Sequence, residues 1–178
     1  MEYRQIYDKD RHEKFETKTR ETFEEIFKNA INAKKIEEKE KYTYDMKVEY
    51  EKHNKKHILL LEFETRKDKD FNNIKNRVYP NIHIPVRKMI NGNISNEYIV
   101  TNLSCTDFFV TRMKNIKESF KKDEIDKNRQ VKSGKNNEIE TDSFVCIGYE
   151  KFSHFKVIRN NNNEAIKIEK QRDWKLLK

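Results

Sequence analysis

The stretch LLLEFETRK, Leu59–Lys67, decides how the fold is read, because three leucines that seek a core lead straight into Glu62 and Glu64. If the run is a strand, its side chains alternate between faces, so both carboxylates point one way and Phe63 the other. Two like charges on a half-buried face repel unless a cation, a proton or an arginine lies between them.

The preceding segment answers in the same period. In YTYDMKVEY, residues 42–50, Tyr42, Tyr44, Met46, Val48 and Tyr50 alternate with Thr43, Asp45, Lys47 and Glu49, as in a strand. EKHNKK between the two segments reads as a polar turn. Folding the chain about the point between His53 and Asn54 sets Asp45 opposite Glu62, Lys47 opposite Leu60 and Glu49 opposite Ile58. Directly opposed residues share a face, so Asp45, Glu62 and Glu64 are expected to converge. Without a cation, that gathering costs on the order of several kcal/mol in repulsion and desolvation. A hard divalent cation removes the cost, and Mg²⁺ binds through one or two carboxylates plus waters and phosphate oxygens. The alternative is a solvated face on which the three acids pair with Lys47, Arg66 or lysines of a helix. In a chain that is 39% charged, that alternative is serious.

Outward from the hairpin, residues 11–41 lack Gly and Pro, and Phe15, Phe23, Ile26, Phe27, Ala30 and Ile31 recur at helical spacing. One long N-terminal helix is expected there, fraying through KKIEEKEK. After the hairpin, RKDKDFNNIKN reads as a polar connection. RVYPNIHIPVRK reads as a strand that Pro80 and Pro85 demote to an edge or an irregular segment. EYIVTNL and DFFVTRMK make a hairpin, and FVCIGYEKF and HFKVIRN restore a strand pattern. From residue 115 to 142 apolar residues nearly vanish, and a long charged, flexible insertion with a short helix is expected. The whole, 1–178, is one domain of α/β class, a mixed central sheet with the long N-terminal helix. Its core spans about 21–115, and its C-terminal strands and tail span 143–178. Trp174, Leu176 and Leu177 are expected to pack back onto it.

The balance of 39 Lys and Arg against 31 Asp and Glu gives +8, so a polyanionic partner is a reasonable expectation. No apolar stretch approaches the roughly 18 to 20 residues of a membrane span, and the start MEYRQIYDKD lacks the pattern of a signal peptide, so a cytoplasmic protein with no membrane partner is expected. Cys105 and Cys146 are expected to be free buried thiols. His12, His53, His57 and His154 lack partners at metal-ligand spacing and are expected at the surface or in turns. Three glycines in the chain leave no phosphate-cradling loop.

An acidic residue at the start of one strand, a hairpin, then acid-x-acid at the end of an apolar strand resembles the PD-(D/E)XK restriction-endonuclease-like nucleases. The resemblance covers roughly residues 21–88. It implies a restriction-endonuclease-like core that hydrolyses phosphodiester bonds with Mg²⁺ or Mn²⁺. Asp45 matches the family's aspartate and Glu62 its second acid, and either Glu24 or Glu25 in FEEIF matches a helix acid, so Asp45, Glu62 and Glu25 are the expected metal ligands. The resemblance also assigns the Phe63 carbonyl to the metal. Glu64 stands where a lysine is usual, and no proline precedes Asp45. Glu64, Arg66 or Lys88 would then orient the attacking water or neutralise developing charge. Arg87, Lys88 and Lys47 are the expected phosphate contacts. The partner implied is nucleic acid, DNA first, and cutting both strands would suit a homodimer. The competing reading is a non-catalytic module, binding nucleic acid or protein on the same scaffold, in which the missing lysine marks lost chemistry.

Overall fold

The computed structural model describes residues 9–38, 44–89, 94–122, 125–132 and 139–171. The chain is α/β, with a mixed seven-stranded sheet, a second sheet of three strands, and three helices.

Helix α1 spans Lys9–Ile31. It stops ten residues short of the expected end because Asn32 turns left-handed, with φ 52°, and the Ala33 amide donates back to the Phe27 carbonyl at 3.0 Å. That is a Schellman-type stop with asparagine in place of glycine. The charged tail continues as strand β1, Lys35–Glu38, paired antiparallel with β2, Met46–Lys52.

Strand β3, Lys55–Arg66, pairs with β2 in the register read from the sequence, Lys47 opposite Leu60 and Glu49 opposite Ile58. The turn explains it. His53 and Asn54 both have positive φ, 52° and 58°, as in the two-residue hairpin turn whose twist matches its strands. The ladder runs on to Asp45, whose amide donates to the Leu61 carbonyl at 2.8 Å.

RKDKDFNNIKN is helix α2, Asp68–Lys75, with Phe71 and Ile74 buried one turn apart. Two acids in its first turn complement the helix dipole. It returns the chain so that β5, Glu97–Asn102, lies parallel to β3, with Tyr98 beside Glu62 and Val100 beside Glu64. β5 and β6, Asp107–Arg112, form the expected hairpin. β9, Ser153–Arg159, and β10, Ala165–Lys170, extend the sheet, whose order is β1-β2-β3-β5-β6-β9-β10.

The second sheet has β4, Ile82–Pro85, at one edge, as its prolines required. Its other strands are β7, Ile125–Lys132, and β8, Ile139–Ile147; with most of helix α3, Met113–Lys121, β7 and the start of β8 fall in the stretch that read as an insertion. Strand β7 carries few apolar residues, so its pairing with β8 rests on backbone hydrogen bonds that leave no hydrophobic pattern. The tail with Trp174, Leu176 and Leu177 lies outside the described residues.

The central sheet separates two cores. On one face Phe23, Ile26 and Phe27 of α1 pack on Met46, Val48, Leu61, Phe63, Ile99 and Phe108. Phe23 is fully buried, with ring centroids 4.9 Å from Phe63 and 5.2 Å from Phe108, a site where truncation to Ala costs about 3–5 kcal/mol. On the other face Tyr98, Val100 and Phe109 meet α2, α3, β4 and β8. Glu62 and Glu64 point to this second face, between the layers.

Candidate functional site

Asp45 and Glu62 come together at the mouth of the β2–β3 hairpin. Asp45 Oδ2 accepts the Phe63 amide at 2.9 Å, which fixes its carboxylate beside the next residue of β3. Lys88 enters from a 3-10 turn, Val86–Met89, that follows the edge strand β4. Its ammonium donates to Glu62 Oε1 at 2.5 Å and to the Phe63 carbonyl at 3.1 Å, and stands 4.0 Å from Asp45 Oδ2. Three oxygens therefore converge on one positive centre. Glu62 and Lys88 are only 10% and 20% exposed at their side chains, so water screens the pair weakly. Burial opposes the charge on Lys88, but Glu62 and Asp45 outweigh it and hold its pKa above the ordinary lysine value.

Glu64 does not join this group. Its Oε1 accepts Arg66 Nε at 3.0 Å, and its other oxygen accepts the Tyr98 hydroxyl. Burial alone would raise the Glu64 pKa; the Arg66 guanidinium and the Tyr98 hydroxyl reverse this and leave it lowered. Tyr98 itself is held as a neutral phenol, raised well above its usual range by burial and by the Glu64 charge. Arg66 also donates to the His83 carbonyl, tying β3 to β4. The expected convergence of three carboxylates thus divides into a pair on Lys88 and a single acid on Arg66. Among the described residues no three His, Cys, Asp or Glu side chains gather as a metal cluster.

Glu25, an expected ligand, is elsewhere. It accepts the Ala165 amide at 2.7 Å and lies 3.5 Å from Arg159, anchoring the far edge of the sheet to α1. Glu24 pairs with Lys28 along the exposed side of α1. The reason is the period: α1 covers the Leu61 and Phe63 face, and the site acids lie on the other. Lys47 shares the face of Asp45 but is held between Glu37 at 3.1 Å and Glu49 at 3.2 Å. The side chain of Arg87 lies outside the described residues.

Two buried polar contacts escaped the sequence, one at the site and one away from it. Tyr98 reaches Glu64 through the parallel pairing of β3 with β5, a contact across distant residues that no local spacing announces. His154, expected at the surface, is 4% exposed, its Nε2 is 2.8 Å from Asp107 Oδ1, and Lys75 lies 3.3 Å from the same oxygen. Burial would raise the Asp107 pKa, but His154 and Lys75 leave it lowered. Cys105, buried, and Cys146, half-buried, form no disulfide.

Comparison with protein-family models, curated proteins and solved structures gives no match for this chain.

Proposed function

We propose that the protein hydrolyses phosphodiester bonds of nucleic acid, DNA first, on a restriction-endonuclease-like core that uses Mg²⁺ or Mn²⁺. The observation that carries the reading is the cradle of Asp45 Oδ2, Glu62 Oε1 and the Phe63 carbonyl, all turned to one cationic centre. Two carboxylates and a carbonyl are the hard oxygen donors that Mg²⁺ accepts, completing its shell with water and phosphate oxygens. The donor set therefore fits such an ion. When bound there, the ion would polarise the scissile phosphate and acidify a water.

The rest is chemistry of the chain itself. The Phe63 amide fixes the Asp45 carboxylate, so this oxygen needs no reorganisation to face a ligand. Lys88 replaces the lysine absent at position 64. Its ammonium, beside Glu62 and the Phe63 carbonyl, is placed to neutralise charge on the transferring phosphate. Glu64, Arg66 and Tyr98 act behind it as a buried brace that fixes the end of β3. A homodimer would bring two such sites to one duplex.

The test is nicking of supercoiled plasmid in Mg²⁺ or Mn²⁺ by wild type, Glu62→Ala and Lys88→Ala. Nicking by wild type alone is expected. Equal nicking by wild type and Glu62→Ala, or none by wild type over a range of DNA and RNA substrates, refutes the reading.

One observation favours a second reading, the non-catalytic module. The Lys88 ammonium already balances Glu62, and Glu64 is sealed by Arg66. That reading predicts salt-dependent nucleic-acid binding with no cleavage, and no rise of Tm with divalent ions.

A further inference from the structure

A cavity of about 600 Å³ opens between the start of β5 and α3, lined by Asn96, Glu97, Arg112, Lys114, Lys117 and Lys121 among others. Lys114, Lys117 and Lys121 follow one another at spacings of three and four, so they form one stripe along α3. The opposite side of the helix, with Met113 and Ile116, is buried in the core. Lys114 has Glu118 at 3.7 Å; among the described residues Lys117 and Lys121 have no carboxylate within ion-pair distance. Elsewhere the chain matches its helix charges one turn apart, as Glu16 with Arg20 and Glu24 with Lys28 on α1. Here four cations, Arg112, Lys114, Lys117 and Lys121, line a concave wall against two carboxylates, Glu118 beside Lys114 and Glu97 paired in register with Arg112.

The groove adjoins the candidate site. The Asn96 amide donates to the Leu60 carbonyl at 2.9 Å, and the Met113 amide to the Asn96 carbonyl at 2.9 Å. The start of α3 is therefore tied to β3 two residues before Glu62, about 7 Å along the strand. Met113 and Ile116 pack with Tyr98, the neighbour of Glu62 in the parallel register, so α3 stands on the same side of the sheet as the carboxylates.

We propose that this groove holds the phosphate backbone of duplex DNA as it leaves the Asp45–Glu62–Lys88 site, with Lys117 and Lys121 on successive phosphates and Arg112 at the near end. The identity of the polyanion rests on the nuclease reading; the existence of the groove site does not. A row of point charges without a hydrogen-bonding pocket reads charge and spacing, not bases, so the contact is independent of sequence.

The experiment is anisotropy of a fluorescein-labelled 20-base-pair DNA with the full chain in EDTA, titrated at salt concentrations from 50 to 200 mM. It compares wild type, Lys117→Gln with Lys121→Gln, a control of equal charge change on β10 (Lys167→Gln with Lys170→Gln), and Glu62→Ala. Each lost phosphate contact lowers the slope of log K against log salt by about 0.9, so the groove variant should lose about 1.8. Its affinity should then fall about twelvefold less than that of wild type across this salt range. The control should keep the wild-type slope. A groove variant with the wild-type slope, a control that loses as much, or a wild type that does not bind at 50 mM salt each overturn the proposal. A wild type that binds in the expected pattern but never nicks plasmid supports the groove and removes the nuclease reading alone.

Discussion

Replacing Lys88 by Met removes the ammonium that faces Asp45, Glu62 and the Phe63 carbonyl while keeping much of the side-chain volume. Breaking a buried ion pair from one side costs about 3–5 kcal/mol, because the other charge stays buried. Glu62 is 10% exposed and Lys88 20%, so water relieves part of the penalty and the low end, about 3 kcal/mol, applies. With roughly 2.1 cal/mol/K of unfolding entropy per residue, a chain of this length loses about 8 °C of Tm. Circular dichroism melts in EDTA read this directly. Adding Mg²⁺ then separates a cation cradle from a simple salt bridge. At 10 mM, a site with Kd of about 1 mM gains about 1.4 kcal/mol, or roughly 4 °C. The gain should be larger in Lys88→Met than in wild type, where the ammonium competes for the same oxygens. A loss of Tm that Mg²⁺ restores equally in both proteins, or in neither, refutes the reasoning.

Three further outcomes follow from the same geometry. Tyr98→Phe removes a hydroxyl donor from the buried Glu64 carboxylate and should cost about 2 kcal/mol in urea unfolding at pH 7. The folded pKa of Glu64 lies below its ordinary value, so its contribution is complete above about pH 4.5 and is lost as the pH falls through the depressed value; in Tyr98→Phe the loss should begin at higher pH, and an unchanged acid limb contradicts this. Glu25→Ala should cost about 1–2 kcal/mol by freeing the Ala165 amide, yet leave plasmid nicking unchanged, whereas loss of nicking in a protein of intact Tm would return Glu25 to the site.

The hairpin was legible because two independent local signals agree. The alternation through Asp45, Met46 and Val48 sets the faces, and a two-residue turn at His53-Asn54 sets the register. Asp45 and Glu62 were therefore placed correctly side by side. What failed lies where local pattern is silent. The end of α1 depended on Asn32 adopting a conformation usually left to glycine, and β7 forms from residues with almost no apolar alternation. The fate of Glu64 depended on Tyr98, brought alongside by a parallel pairing across the α2 crossover, and on the reach of Arg66. Lys88 was a candidate from charge and proximity to β4, but only the 3-10 turn at Val86–Met89 aims it at Glu62. Glu25 shows the converse: a residue of the expected type that binds the Ala165 amide instead, because α1 covers the other face of the sheet.

The most direct measurement is anomalous diffraction from crystals soaked in Mn²⁺. The account predicts one peak about 2.1 Å from carboxylate oxygens of Asp45 and Glu62 and from the Phe63 carbonyl, with the Lys88 ammonium withdrawn from Glu62. Saturating Mn²⁺ with no peak there and Lys88 still bound to Glu62 would contradict it.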